Sequence, residues 1–219
     1  MPRSPLEIRQ HLLELSGKSS ALGHRITESL IRSNKTTALS NFCSYLSGEL
    51  QNLSDFYPNK TAGLAWATRN MFEANLTIRY ILITDENFTD WLGQALRDEK
   101  DFIDGVLSTS EDSQNADAKN ILSARLTQLH GMAQRHGLEF SKPFRVQDIA
   151  KTLGILDEYT ATYKLFSKYV HPSSLLVNAW HKQTPDTMWS DIFLVKAQTY
   201  AGDSIARIMD TCGFKPGAT

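Results

Sequence analysis

Between Leu39 and Leu53 the apolar residues Leu39, Phe42, Leu46, Leu50 and Leu53 recur every three or four positions. That period lays them along one stripe of an α-helix and on no single face of a strand. The same spacing returns along most of the chain. Leu6, Ile8, Leu12, Leu13 and Leu15, with Glu7, Arg9 and Gln10 between them, predict an amphipathic helix ending near Gly17, followed by a second from about Ser19 to Arg32. The Leu39 stripe belongs to a helix from Thr36 to Phe56, broken by Pro58 and Asn59. Further helices are expected over about 61–83, 88–107 and 116–136, the last closed by Gly137. Others follow over 146–153, ending at Gly154, over 156–170, stopped by Pro172, and over 186–211, with Gly213 as the C-cap. Composition agrees. Leu occurs 26 times and Val five times, and Gly and Pro fill nineteen of 219 positions, below the roughly 12% of an average chain. One all-α domain spanning residues 1–219, a bundle of about eight or nine helices, is the expected fold.

The charge balance narrows the partners. Lys and Arg number 23 and Asp and Glu 24, so the net charge is -1 and no basic excess argues for nucleic acid. The segment VQDIAKTLGILDEYTATYKLF has the Ala150 and Gly154 spacing of a helix-turn-helix. Its second helix opens with Asp157 and Glu158, which would face phosphate with two carboxylates, so no DNA partner is expected. The densest apolar stretch, Met71 to Ile83, is interrupted by Glu73, Asn75, Thr77 and Arg79, so no membrane span is expected. The first residues lack an unbroken apolar run of the signal-peptide kind, which predicts a cytoplasmic protein. Cys43 and Cys212 match no metal or redox spacing and read as buried free thiols. There is no Gly-rich phosphate loop, and Glu73 with His171 would give a metal two ligands without an evident third. No cofactor and no metal are expected.

One polar seam stands out. The helix over 61–83 is apolar around most of its circumference, yet carries Arg69 and Glu73 at i, i+4, with Thr77 one turn later. Charges in a dry interior are costly unless paired, so a neighbouring helix should supply polar groups. The helix over 156–170 offers Tyr163, Ser167 and His171 on one face, with Lys164 and Lys168 beside it. Pro172 pushes His171 toward an extended conformation, which sets the imidazole at a helix end. Ser173 and Ser174 follow as candidate caps of the next turn. In a functional site Arg69 would hold an anion, Glu73 would orient Arg69 or His171, and His171 would transfer a proton. Ser167, Tyr163 and Ser173 would contact the ligand. Trp180 and His181 would rim such a pocket.

The segments RNMFEANLTIRYIL (69–82) and YKLFSKYVHPS (163–173) resemble the two signature blocks of an uncharacterised family of bacterial helical proteins. That family carries an Arg-x-x-x-Glu helix and a later Tyr-x-x-x-Ser-x-x-x-His-Pro-Ser block. The resemblance covers roughly Thr61 to Asn178. It implies an all-α fold and a shared polar cluster of Arg69, Glu73, Tyr163, Ser167 and His171, and it brings no established reaction.

Two rival readings accompany the pocket. In one, the same residues only lock helix packing in a non-enzymatic, dimeric interaction module. In the other, the protein is a ribonuclease resembling the helical HEPN superfamily, which uses an Arg followed at four to six residues by a His. Arg125 and His130 in RLTQLH fit that spacing, although Leu126 stands where a polar residue is usual; Arg69 with His171 would be the alternative pair. RNA is a partner only under that reading.

Overall fold

The computed structural model describes residues 4–109, 116–140, 145–171, 173–179 and 187–215. Among them are nine helices and no strand: α1 Pro5–Ser29, α2 Asn34–Phe56, α3 Thr61–Ile81, α4 Asp85–Thr109, α5 Ala116–His136, α6 Val146–Thr152, α7 Leu156–Val170, α8 Ser174–Ala179 and α9 Thr187–Thr211. The all-α expectation holds. The chain divides into two compact units, one of Met1–Arg79 with Ala150–Thr219 and one of Tyr80–Ile149.

The first unit is built on α1 and α2. Ser4 caps α1 through a capping box with Glu7, and Pro5 takes the first helical position, where a missing N–H costs nothing. The break expected near Gly17 does not occur; α1 runs unbroken through it. A glycine inside a helix costs about 1 kcal/mol relative to Ala. Here Leu12, Ser16, Ser19, Leu22, Gly23 and Ile26 form one continuous buried face across that point. Its packing outweighs the local penalty. The face is narrow enough for close approach to α2. Ser19 Oγ donates to the Cys43 carbonyl at 2.8 Å, and Ser16 Oγ meets Ser47 Oγ at 2.8 Å. A Cβ at Gly23 would lie 3.1 Å from Cys43 Cβ. Cys43 is fully buried there, and loss of solvent, with a smaller push from Cys212, raises its thiol to about 12. Both cysteines are free thiols, with Cys212 only half-buried.

Helix α3 is the spine of this unit. Leu64, Ala65, Ala67, Thr68, Met71, Phe72, Leu76 and Ile78 are all buried. Phe72 meets Tyr200 of α9 at 4.9 Å between centroids and Phe166 of α7 at 6.4 Å. Thr68 Oγ1 donates to the Phe193 carbonyl at 3.2 Å, and Asn75 Nδ2 reaches Asp203 Oδ2 at 2.8 Å and Ser204 Oγ at 3.0 Å. These contacts fix the rotation of α3 against α9 and so decide which residues it turns toward α7.

In the second unit Leu96 and Ile103 of α4 pack with Leu129 and Ala133 of α5, joined by Leu107, Leu126 and Phe140. Gly137 closes α5 with φ 61°, as Gly154 and Gly213 follow α6 and α9 at φ 70°. After each helix the next residue's N–H reaches back five positions, as Leu138 does to Ala133 at 2.9 Å, a closure that needs a left-handed residue. The segment 108–115, expected to be a loop, lies outside the described residues from 110 onward.

Candidate functional site

Arg69 and Glu73 leave α3 on the side that faces α7. Arg69 Nε donates to Glu73 Oε1 at 2.8 Å. Its Nη2 donates to the Tyr163 hydroxyl at 3.3 Å, and its guanidinium carbon sits 4.8 Å from the centre of the Tyr163 ring. Its Nη1 lies 3.4 Å from His171 Nε2. Four of the residues singled out from sequence, Arg69, Glu73, Tyr163 and His171, therefore meet around one guanidinium. Tyr163 is itself stacked on Tyr159, with centroids 5.2 Å apart and planes 28° from parallel. Tyr159 stacks in turn on Phe72 at 6.4 Å. The cation is seated on an aromatic column rooted in the core.

His171 caps α7 at φ -101°, ψ 155°, the extended backbone expected of a residue before proline. Its N–H donates to the Ser167 carbonyl at 3.3 Å. Ser167 thus serves His171 through its backbone; among the described residues its hydroxyl makes no hydrogen bond to Arg69, Tyr163 or His171. Ser173 turns its hydroxyl onto the Lys168 carbonyl at 2.6 Å and gives its own carbonyl to the Val177 N–H at 2.9 Å. These bonds help close the end of α7. Trp180 and His181 lie outside the described residues.

The cluster is half-open. The Arg69 and Glu73 side chains are 20% and 30% exposed, and His171 is exposed. The reason is the position of the helix end. α7 stops at Val170, so no further turn covers the imidazole. Burial works against the charge of Arg69, but the hydrogen bond and charge of Glu73, with smaller help from Tyr163 and Tyr159, raise its pKa above the ordinary value. Loss of solvent, then Tyr163 and Glu73, push Tyr159 up, so it remains a neutral phenol.

A second shell escaped the sequence reading. Glu49 of α2 is 5% exposed, and Asn70 Nδ2 donates to its Oε1 at 3.0 Å and Asn52 Nδ2 to its Oε2 at 3.4 Å. Burial, the charge of Glu49 and a hydrogen bond to it push Tyr45 well above the usual phenol range, with Glu73 adding to the effect. Tyr45 therefore feels the charge of both carboxylates, Glu49 most. The signal was present: Glu49 interrupts the apolar stripe of Leu46, Leu50 and Leu53, and a carboxylate there needs donors.

Arg125 and His130 have separate engagements in the second unit. Arg125 donates to both oxygens of Glu99, at 2.6 and 3.0 Å, which holds that carboxyl below its usual pKa. His130 is exposed with its ring 4.9 Å from Phe140. Among the described residues no three His, Cys, Asp or Glu side chains are placed to hold a metal ion, and no helix is long and apolar enough to cross a membrane.

A family model described as a family of unknown function (DUF5677) matches residues 62–187, more than half of the chain. The match spans α3 through α8 and so takes in Arg69, Glu73, Tyr163 and His171. No curated protein and no solved structure matches.

Proposed function

The chain belongs to this family of unknown function (DUF5677), and we propose that its α3–α7 cluster binds a small anion and handles a proton at His171. The observation that carries the reading is the way Arg69 is held. Glu73 anchors Nε, and Tyr163 supports the guanidinium from below and accepts from Nη2. Of five guanidinium N–H groups, this leaves a pair on the outer edge of Nη1 and Nη2 for a bidentate acceptor. A guanidinium fixed in advance loses little freedom when an anion arrives.

His171 supplies the chemistry. Arg69 Nη1 lies 3.4 Å from His171 Nε2, so the imidazole stands beside any anion that Arg69 would hold. A ring nitrogen placed there can exchange a hydrogen bond or a proton with the ligand. Glu73 and Tyr163 are positioning groups. Ser167 and Ser173 shape the helix end that presents the ring. A cytoplasmic setting and self-association belong to the same proposal.

Calorimetric titration of the full chain with inorganic phosphate and with pyrophosphate tests it. Saturable binding weakened about tenfold or more by Arg69→Gln is expected, since a charge-assisted bidentate contact is worth roughly 1.5–3 kcal/mol. Equal heats from wild type and Arg69→Gln, or no binding of either anion, would overturn it.

A further inference from the structure

Trp66 is an anomaly on α3. Its neighbours Leu64, Ala65, Ala67 and Thr68 are fully buried, yet its side chain is 42% exposed. Among the described residues, no aromatic ring or cation lies over its indole. It precedes Arg69 by three residues and Asn70 by four, so it stands one turn away on the same side of the helix. Tyr45 of α2, 46% exposed, is a second open aromatic of this unit.

We infer that the anion taken by Arg69 carries a planar ring, and that the ligand class is a nucleoside phosphate whose base stacks on Trp66. This rests on the anion-site reading and names its ligand. Three residues separate Trp66 from Arg69, so a stacking face and an anion-holding side chain share one side of α3. Stacking on an indole accepts any base, because every base has a π-face, so sequence selectivity is not required. Lys164 and Lys168, both exposed on α7 beside this cluster, supply positive charge for a phosphate while the chain as a whole stays near neutral. The ligand is either a free mononucleotide or one unit of a single strand, and the two share this chemistry.

The test compares inorganic phosphate, ribose 5-phosphate, AMP and a short oligoadenylate on the full chain, by calorimetry and by quenching of tryptophan fluorescence. AMP is expected to bind about tenfold tighter than ribose 5-phosphate, and Trp66→Ala to bring AMP down to the ribose 5-phosphate level. Trp66→Phe, which keeps a ring, should retain most of the gain, and far-UV circular dichroism checks that both variants stay folded. A further gain with oligoadenylate identifies a strand as the source; its absence identifies the free nucleotide. If phosphate binds and AMP binds no tighter than ribose 5-phosphate, or if Trp66→Ala leaves the AMP gain intact, the ring inference is overturned while the anion site stands. If none of the four ligands binds, the anion site itself fails.

Discussion

Helix α3 carries two polar seams built from similar parts, and they end differently. Toward α9, Asn75 is 2% exposed and its amide reaches Asp203, Ser204 and the Tyr200 carbonyl, with Asp203 tied to Arg207 at 2.7 Å. Toward α7, Arg69 is paired with Glu73 and supported by Tyr163, but its outer edge and His171 reach solvent. The first seam is closed at Asn75, between two long helices, and reaches water only at its Asp203–Arg207 end, where the side chains are 38% and 44% exposed. The second opens because α7 stops beside it. An amide, a carboxylate and an arginine on a buried helix can therefore lock packing or present a site, and the position of a helix end decides which.

The sharpest way to break this comparison is to remove each seam's central residue. Asn75→Ala should cost about 2–3 kcal/mol in urea unfolding, because it removes the hydrogen bonds of a buried amide to Asp203, Ser204 and the Tyr200 carbonyl and leaves a void. A loss no larger than that of an exposed substitution would deny that the α9 seam is a lock. Arg69→Gln should cost about 1 kcal/mol in stability, since Glu73 regains water at the half-open face, while anion binding weakens about tenfold or more. His171→Ala should change stability by no more than about 0.5 kcal/mol. A melting temperature that falls with His171→Ala as far as with Asn75→Ala would make the α7 seam structural too.

The smallest effect is a pH dependence confined to the closed seam. Burial pushes the Asp203 carboxyl up, but hydrogen bonds from Arg207 and Asn75 outweigh it and hold the folded pKa below the ordinary 3.8. Its contribution is complete above that unfolded value and fades as the pH falls through the lower folded one. The side chain is 38% exposed, so water screens much of the effect. The stability difference between wild type and Asp203→Asn should be present at neutral pH and shrink on acidification below about pH 4. A difference that grows there would reverse the sign.

Much of this architecture was legible in the residues. Leucine periodicity and the punctuating glycines located α2, α5, α7 and α9 closely, because helix period and left-handed caps are local properties. The merger of two expected helices into α1 was not legible, since Gly17 signals a stop locally and only the α2 packing overrides it. The six-residue α8 was missed for a related reason: one turn leaves no period to read. At the site, the i, i+4 spacings of Arg69 with Glu73 and of Tyr163, Ser167 and His171 gave the faces that meet. Their solvent access depends on where α7 ends relative to α3, a tertiary fact. Glu49 escaped notice because it was read past as one polar position within an apolar stripe.

The most direct measurement follows the imidazole resonances of all six histidines by NMR while inorganic phosphate is added to the full chain. A saturable shift concentrated at His171, flattened in Arg69→Gln, is the predicted result. Shifts spread evenly over the other imidazoles, or a His171 curve that survives Arg69→Gln unchanged, would contradict the account.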